Sequence, residues 1–173
     1  STRSLNFEVS PTYSLSVKVV DNSLSRLFAV QHLVVTLVDV NDAPVAHAAE
    51  LQISENSPSE TLVVANQEHY VSPELTSCTY DGLCAADEDV GDELEFEWVL
   101  AASDEAAIEL FELTSAGSVK VRSPGVDYER THQHSLVYNV TDNDAAGPLS
   151  DTAAATISVI DVADTFISNV EVD

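Results

Sequence analysis

Carboxylates recur in this 173-residue chain at two places with matching spacing. Four acidic residues of a first copy reappear in a second copy 121 or 122 positions later: Glu8 and Glu129, Asp21 and Asp142, Asp39 and Asp161, and Asp42 and Asp164. Carboxylate oxygens are the hard ligands that calcium prefers. The second copy keeps the acidic residues of the first as well as its apolar residues. This pattern predicts ion binding.

Alternating apolar and polar residues predict the strands that must position these acids. The clearest case is residues 13–19, and the same pattern covers 51–53, 94–98, 119–121, 136–140 and 155–159. Alternation with period two is typical of half-buried strands, whereas only 103–110 could form one or two helical turns. Short strands with turn residues between them predict an all-β sandwich.

Composition narrows the class of partner. Six basic residues against thirty acidic ones give a net charge of -24, while 45% hydrophobic residues suffice for a core. Such a charge repels nucleic acid and anionic membranes and concentrates cations. It also suits a protein that stays soluble in high salt, so both explanations stay open. The chain has no apolar run long enough for a membrane span and no signal-peptide pattern.

The spacing of the two copies predicts the domain organisation. Residues 1–43 correspond to the C-terminal part of one repeat, 44–164 form a complete repeat, and 165–173 begin a following repeat or linker. Residues 66–84 read as a long loop. The first segment has too few strands to stand alone, so missing chain or a partner must cover its apolar face. Strands from another molecule are a less favoured way to cover it.

Three smaller features allow more than one interpretation. Cys78 and Cys84 enclose five residues with an Asp-Gly turn, which favours a local disulfide over reduced thiols or a zinc site. Asn139-Val140-Thr141 is an N-glycosylation sequon on the outward side of a predicted strand, although a chance match is also open. His132 and His134 could ligate zinc, but an exposed histidine pair is the better interpretation.

Five motifs in order resemble those of cadherin repeats. They are the linker Asp39–Pro44, the first-strand glutamate motif Ser54–Asn56, the paired-aspartate loop Ala86–Gly91, the motif Asp127–Glu129, and Thr141–Asn143. The resemblance implies a seven-strand Greek-key β-sandwich in repeats joined end to end. It also implies Ca2+ bound between neighbouring repeats.

The resemblance assigns ligands at two junctions. For the first it implies the side chains of Glu8, Asp39, Asn41, Asp42, Asp87, Asp89 and Asp142, with the carbonyls of Val40 and Ala43. For the second it implies Glu55, Asp127, Glu129, Asp161 and Asp164. At the second junction Ala163 replaces the linker asparagine and the proline is missing, so a third ion there should bind weakly or not at all.

The expected function is that of a calcium-binding extracellular segment, reached through the secretory pathway. It would act as a rigid spacer or as an adhesive or structural module of a larger surface protein or filament. Its partners would be neighbouring repeats, other copies or surface proteins. No catalytic motif is present, so we expect no enzyme activity. An accessory module of a large secreted enzyme and a metal-free sandwich adapted to high salt are the alternatives.

Overall fold

The computed structural model describes residues 4–66, 82–145 and 147–163. Within them the chain is almost entirely β. The strands are β1 (Thr12–Val20), β2 (Phe28–Thr36), β3 (Val45–His47), β4 (Ala49–Ser54), β5 (Val64–Ala65), β6 (Cys84–Ala86), β7 (Glu95–Trp98), β8 (Phe111–Leu113), β9 (Val119–Val121), β10 (Gln133–Thr141) and β11 (Ser150–Ile160). A 3-10 turn at Leu100–Ala102 and one short helix, α1 (Glu105–Leu110), lie between β7 and β8.

Two layers of strands form a sandwich from β3 onward. The larger sheet has the order β5-β4-β11-β10-β7, in which β4 and β11 are parallel and the other pairs antiparallel. The second layer contains the pairs β3-β6 and β8-β9. A bridge between Gly82 and Ser118 links these two pairs. The all-β sandwich predicted from the alternation is confirmed.

Strand β10 shows why the alternating pattern gives this fold. Its residues His134, Leu136, Tyr138 and Val140 are buried, while the residues between them face outward. Strand β11 does the same with Ala155, Ile157 and Val159. Because successive side chains of a strand point to opposite faces, each strand places one row in the core. This core lies between the two layers and excludes β1 and β2.

The hairpin of β1 and β2 repeats the geometry of β10 and β11. Thr12 pairs with Thr36, and the equivalent Gln133 pairs with Ser158, so the offsets of 121 and 122 hold in the backbone register. The turns before the two hairpins also match, because Asn6 accepts a bond from Val9 as Asp127 does from Arg130. Unlike β10, the hairpin has its apolar residues exposed, with Leu15, Val17 and Leu33 each 45 to 49% accessible.

Some elements differ from the sequence-based expectation. From Val45 onward the described residues hold nine strand segments rather than seven, in part because the first strand changes layer between β3 and β4. The expected helical turns are present as α1, whose N-cap Asp104 accepts a bond from the Ala106 N–H. The interpretation of His132 and His134 as an exposed pair is wrong for His134, which is 3% accessible. It packs edge-on against Phe111 in the core.

Candidate cation sites

The first candidate site forms where the linker before β3 meets the loop between β6 and β7. The Asp42 N–H donates to Asp89 Oδ2 at 2.7 Å. The Asn41 side-chain amide donates to Asp142 Oδ2 at 3.1 Å and to the Gly147 carbonyl at 3.2 Å. These bonds join segments that are 47 to 106 residues apart in sequence. The linker therefore carries its acids directly to the acids of the sandwich.

Three groups of acidic side chains converge there. In each group, ligand oxygens lie within 4.8 Å of one another. The groups are Glu8, Asp39 and Asp89; Glu8, Asp42 and Glu88; and Asp87, Asp89 and Asp92. Like charges this close repel strongly, so the arrangement needs a counter-charge.

Several oxygens at this site are buried without a hydrogen-bond partner. They are Oδ1 of Asn41 and Oδ2 of Asp87 and Asp92. A buried oxygen that accepts no hydrogen bond is costly, and natural proteins satisfy most such atoms. A cation held among these oxygens would satisfy them, so the donor set fits calcium, which takes six to eight oxygen ligands.

The pKa values at the site record the crowding of charge. Burial raises the pKa of Asp87 above its ordinary 3.8, and the carboxylates of Asp89, Asp142 and Asp42 raise it further, against a hydrogen bond from the Asp89 N–H. For Glu8, its own backbone N–H lowers the pKa. Desolvation and the charges of Asp39, Asp42 and Asp89 outweigh this effect, and the pKa is raised from 4.5. The ionised form of each carboxyl group is thus less stable at this site than it would be in water.

Asp142 has a different environment, although it lies at the same site. It is 4% accessible and accepts from the N–H groups of Asp144 and Leu149 and from the Asn41 amide. Burial raises the pKa of Asp142, but these hydrogen bonds outweigh it and lower the value. Asp142 therefore anchors the loop between β10 and β11 as well as the linker.

The second candidate site lies at the opposite end of the repeat, around the buried Glu55. Its Oε1 accepts from the Val162 N–H at 2.7 Å, and its Oε2 accepts from the Tyr128 N–H at 3.1 Å. The bond from Val162 has the larger effect and the bond from Tyr128 the next, and together they lower the pKa of Glu55 although burial raises it. Oxygens of Glu55, Glu129 and Asp161 lie within 4.8 Å of one another. Glu55 is thus held ionised beside two further acids.

The structure gathers most, but not all, of the acids predicted for the two junctions. Asp127 lies outside the close group around Glu55, and its Oδ1 accepts from the Arg130 N–H. Asp164 falls outside the described residues. The sequence analysis did not single out Glu88 or Asp92. Glu88 lies between the paired aspartates and Asp92 follows them by three positions, and their acidic type was the only available signal.

Three other sequence features have mixed outcomes. Cys78 is outside the described residues, so its disulfide with Cys84 stays a prediction. Asn139 lies half-buried on β10, and its side-chain amide donates to Thr141 Oγ1 at 2.9 Å, within the sequon. Its glycosylation also stays a prediction. Among the described residues, no helix has the length and apolarity needed to cross a membrane.

Comparison with known proteins points to one class. The chain is 31% identical over 169 residues to rat Protocadherin-16, covering 95% of the chain but 4% of that protein. It is 27% identical over 146 residues to the Drosophila Fat-like cadherin-related tumor suppressor homolog, covering 83% of the chain and 3% of that protein. No protein-family model matches.

A solved structure titled Protocadherin Gamma B2 extracellular cadherin domains 1-5 superimposes with a TM-score of 0.65. The two sequences are 22% identical, and the superposition covers 94% of this chain and 28% of the protocadherin chain. Fold and relatives together define an all-β sandwich of the cadherin-like class, and the chain spans only 3 to 4% of the length of the rat and Drosophila relatives. The chain is a cadherin-repeat segment, and as such it is extracellular. Its relatives are cadherins rather than enzymes, which supports a non-catalytic role.

Proposed function

We propose that this segment is a calcium-dependent spacer within a longer extracellular protein, in which bound calcium fixes each repeat relative to its neighbour. One observation carries the proposal. Glu8, Asp39 and Asp42 from the N-terminal part meet Asp87 and Asp89 of the sandwich, and the meeting point contains buried oxygens without partners. A junction of this kind is held together only when its negative charge is neutralised.

Each residue at the first junction has a distinct part in holding the ion. Glu8, Asp39 and Asp42 supply carboxylates from one side, and Asp87, Asp89 and Asp142 supply them from the other. The amide oxygen of Asn41 and the carbonyls of Val40 and Ala43 add neutral ligands. When bound, calcium supplies positive charge that cancels the repulsion between the two sides. Calcium binding thereby stiffens the linker, and removal of calcium should loosen the linker before either sandwich unfolds.

The second junction repeats the arrangement with fewer ligands in place. Glu55, Glu129 and Asp161 form its close group, and the exposed Asp127 supplies a further carboxylate. Asp164 completes the set. Because Ala163 stands where the first linker has Asn41, this junction should hold calcium less tightly.

Calorimetric titration with calcium chloride tests the proposal on residues 1–173. Extracellular calcium modules bind with Kd values of about 0.1 to 1 mM, so we expect saturation at a few millimolar. At ten times Kd the folded state should gain about 1.4 kcal/mol. An Asp87→Ala, Asp89→Ala double variant should lose the tighter binding. A Glu95→Ala, Glu112→Ala variant, which removes two exposed strand charges, should retain it.

Small-angle scattering tests the spacer role separately. Calcium should narrow the distribution of molecular shapes and increase the mean end-to-end length of the segment, because the junction becomes rigid. Sodium chloride at equal ionic strength should have neither effect. A response to total salt alone would favour the metal-free acidic sandwich instead. Neither outcome excludes that the parent protein also adheres, since adhesion needs a partner surface elsewhere.

A further inference from the structure

The acceptor sequence Asn139-Val140-Thr141 lies on β10 of the five-stranded sheet, and the calcium-dependent function gives it no role. It is the one place in the 173-residue sequence where an asparagine, any residue except proline, and a serine or threonine follow in order. This order is required for N-linked glycosylation of secreted proteins. Because the chain is extracellular, the position of Asn139 in the fold decides whether a sugar fits there.

Strand β10 directs both polar side chains of the acceptor sequence away from the core. Tyr138 and Val140 are fully buried, whereas Asn139 and Thr141 are half-buried on the opposite face of the strand. Successive side chains of a strand point to opposite faces of the sheet. A sugar attached to Asn139 therefore extends from the outer surface of the sandwich and does not enter the core.

The surface around Asn139 leaves room for a sugar. The residues directly beside it are Thr152 on β11 and Glu97 on β7, and both are exposed. Although the chain has thirty acidic residues, the outward positions of β10 and β11 are all uncharged. They are Gln133, Ser135, Val137, Asn139, Thr141, Ser150, Thr152, Ala154, Thr156 and Ser158. Their hydroxyl and amide groups are suitable hydrogen-bond partners for sugar hydroxyls.

The side-chain amide of Asn139 makes two contacts of unequal length. Its Nδ2 donates to Thr141 Oγ1 at 2.9 Å and to Glu97 Oε1 at 3.4 Å. Glycosylation replaces one of the two N–H groups and leaves the other. The contact with Glu97 is longer than the usual 2.7 to 3.2 Å, so its loss costs less than loss of the bond to Thr141. The retained N–H should therefore face Thr141, and the sugar should leave toward Glu97.

This direction leads to the edge of the sheet. In the part of the chain that the structure describes, β7 is the last strand on that side, and Glu97 lies in its middle. Exposed sheet edges can pair with strands of other molecules, and natural proteins commonly cover them or place charges on them. A sugar beside Glu97 adds cover to an edge that already carries charge.

We propose that Asn139 carries an N-linked oligosaccharide whose first sugar lies over β7, beside Glu97. In the transfer, Nδ2 forms a bond to the anomeric carbon of an oligosaccharide that a lipid diphosphate donor supplies. The bond between that carbon and the diphosphate oxygen breaks. The diphosphate leaves with the electron pair, and the amide releases one proton. The assignment is independent of calcium binding.

The attachment is tested by secreting residues 1–173 from mammalian cells, behind an added signal peptide, and measuring the intact mass. We expect species heavier than the 18.5 kDa of the sequence. Peptide N-glycosidase should remove the added mass and convert Asn139 to aspartate. A Thr141→Ala variant, which lacks the hydroxyl of the acceptor sequence, should carry no added mass, whereas Thr141→Ser should retain it. A secreted parent chain without added mass would overturn the proposal.

Asn22→Gln is the matched control, because Asn22 is exposed and is followed by Ser23 and Leu24, which do not complete an acceptor sequence. This variant should keep all the added mass. Added mass that persisted in Thr141→Ala would place the sugar elsewhere and overturn the assignment. If that variant fails to fold, the enzyme treatment of the parent chain in 18O water still decides. The labelled aspartate should be residue 139, and a label at any other position would contradict the proposal.

Nuclear Overhauser measurements on the glycosylated chain test the direction of the sugar. We expect contacts between the first sugar and the side chain of Glu97. Contacts with Thr152 and none with Glu97 would overturn the placement over β7. Because no calcium is needed for these experiments, their outcome is separate from that of the calcium titration.

Discussion

At the scale of single residues, the first junction stores electrostatic repulsion that a cation can relieve. The raised pKa of Asp87 comes first from burial and then from neighbouring carboxylates. The lowered pKa values of Glu55 and Asp142 show that these two are already stabilised by N–H donors. The acids thus differ in how much of their negative charge the protein's own N–H groups stabilise before any cation binds.

An Asp87→Asn substitution should stabilise the calcium-free chain near pH 7. The folded pKa of Asp87 is raised, so its contribution to stability is fully present below its ordinary 3.8 and is lost as pH rises through the folded value. The advantage of the asparagine should therefore shrink as pH falls toward 3.8. Thermal melts of both chains after chelation, from pH 7 to pH 3.5, measure this difference.

Glu95→Gln is the control for the Asp87 experiment. Glu95 is exposed on β7, so removing its charge should change the melting temperature little at any of these pH values. A gain for Asp87→Asn that persisted below pH 3.8 would contradict the electrostatic explanation. It would indicate an effect of packing or hydrogen bonding instead.

At the scale of elements, one side chain of β10 connects the two layers of the sandwich. The Tyr138 hydroxyl lies 2.6 Å from the His47 carbonyl and 2.7 Å from the Cys84 carbonyl, and it accepts from the His47 N–H at 3.1 Å. The ring packs on Phe96 at a centroid distance of 5.9 Å. Burial raises the pKa of Tyr138 to about 12, so the hydroxyl is a donor at neutral pH.

A Tyr138→Phe substitution should lower the free energy of unfolding by about 1 to 3 kcal/mol. The variant keeps the ring in the core but removes the one hydroxyl proton shared by the part-buried carbonyls of His47 and Cys84, together with the acceptor of the His47 N–H. Urea denaturation in saturating calcium measures the change. Tyr13→Phe removes a hydroxyl outside the core, so it should cost less than about 0.5 kcal/mol. Equal losses for the two variants would argue against the link between layers.

The elements that the sequence predicted best are those in which one row of side chains is fully buried. Strands β10 and β11 alternate cleanly because each has one core face and one outer face. Strands β3 and β6 have three residues each, which is too short for a pattern to be visible. His134 was misjudged because a polar side chain on the core face of β10 breaks the pattern, although position alone would have placed it inside.

At the scale of the molecule, the repeat in sequence became a repeat in geometry. Equivalent residues of β1-β2 and β10-β11 pair in the same register, which agrees with the offsets of 121 and 122 between the repeated acids. The ligand residues of the first junction were instead predicted from the resemblance to cadherin-repeat motifs. Glu88 and Asp92 were not predicted, because their closeness to the other acids depends on the folded loop and not on sequence spacing.

The domain boundary at residue 44 remains to be tested by truncation. Among the residues that the structure describes, the hydrophobic core lies between Leu51 and Val159, so residues 44–173 should fold alone and melt within a few degrees of the full chain after chelation. In calcium, the truncated chain should gain less stability, because Glu8, Asp39 and Asp42 are gone.

Residues 1–163 provide the matched truncation at the other end, since they keep the first junction and lose Asp164. This form should retain the tighter calcium binding and its accompanying rise in melting temperature. If residues 44–173 instead failed to fold, the hairpin of β1 and β2 would be part of the folding unit. If they folded and gained as much from calcium as the full chain, the stabilising ion would lie elsewhere than at the first junction.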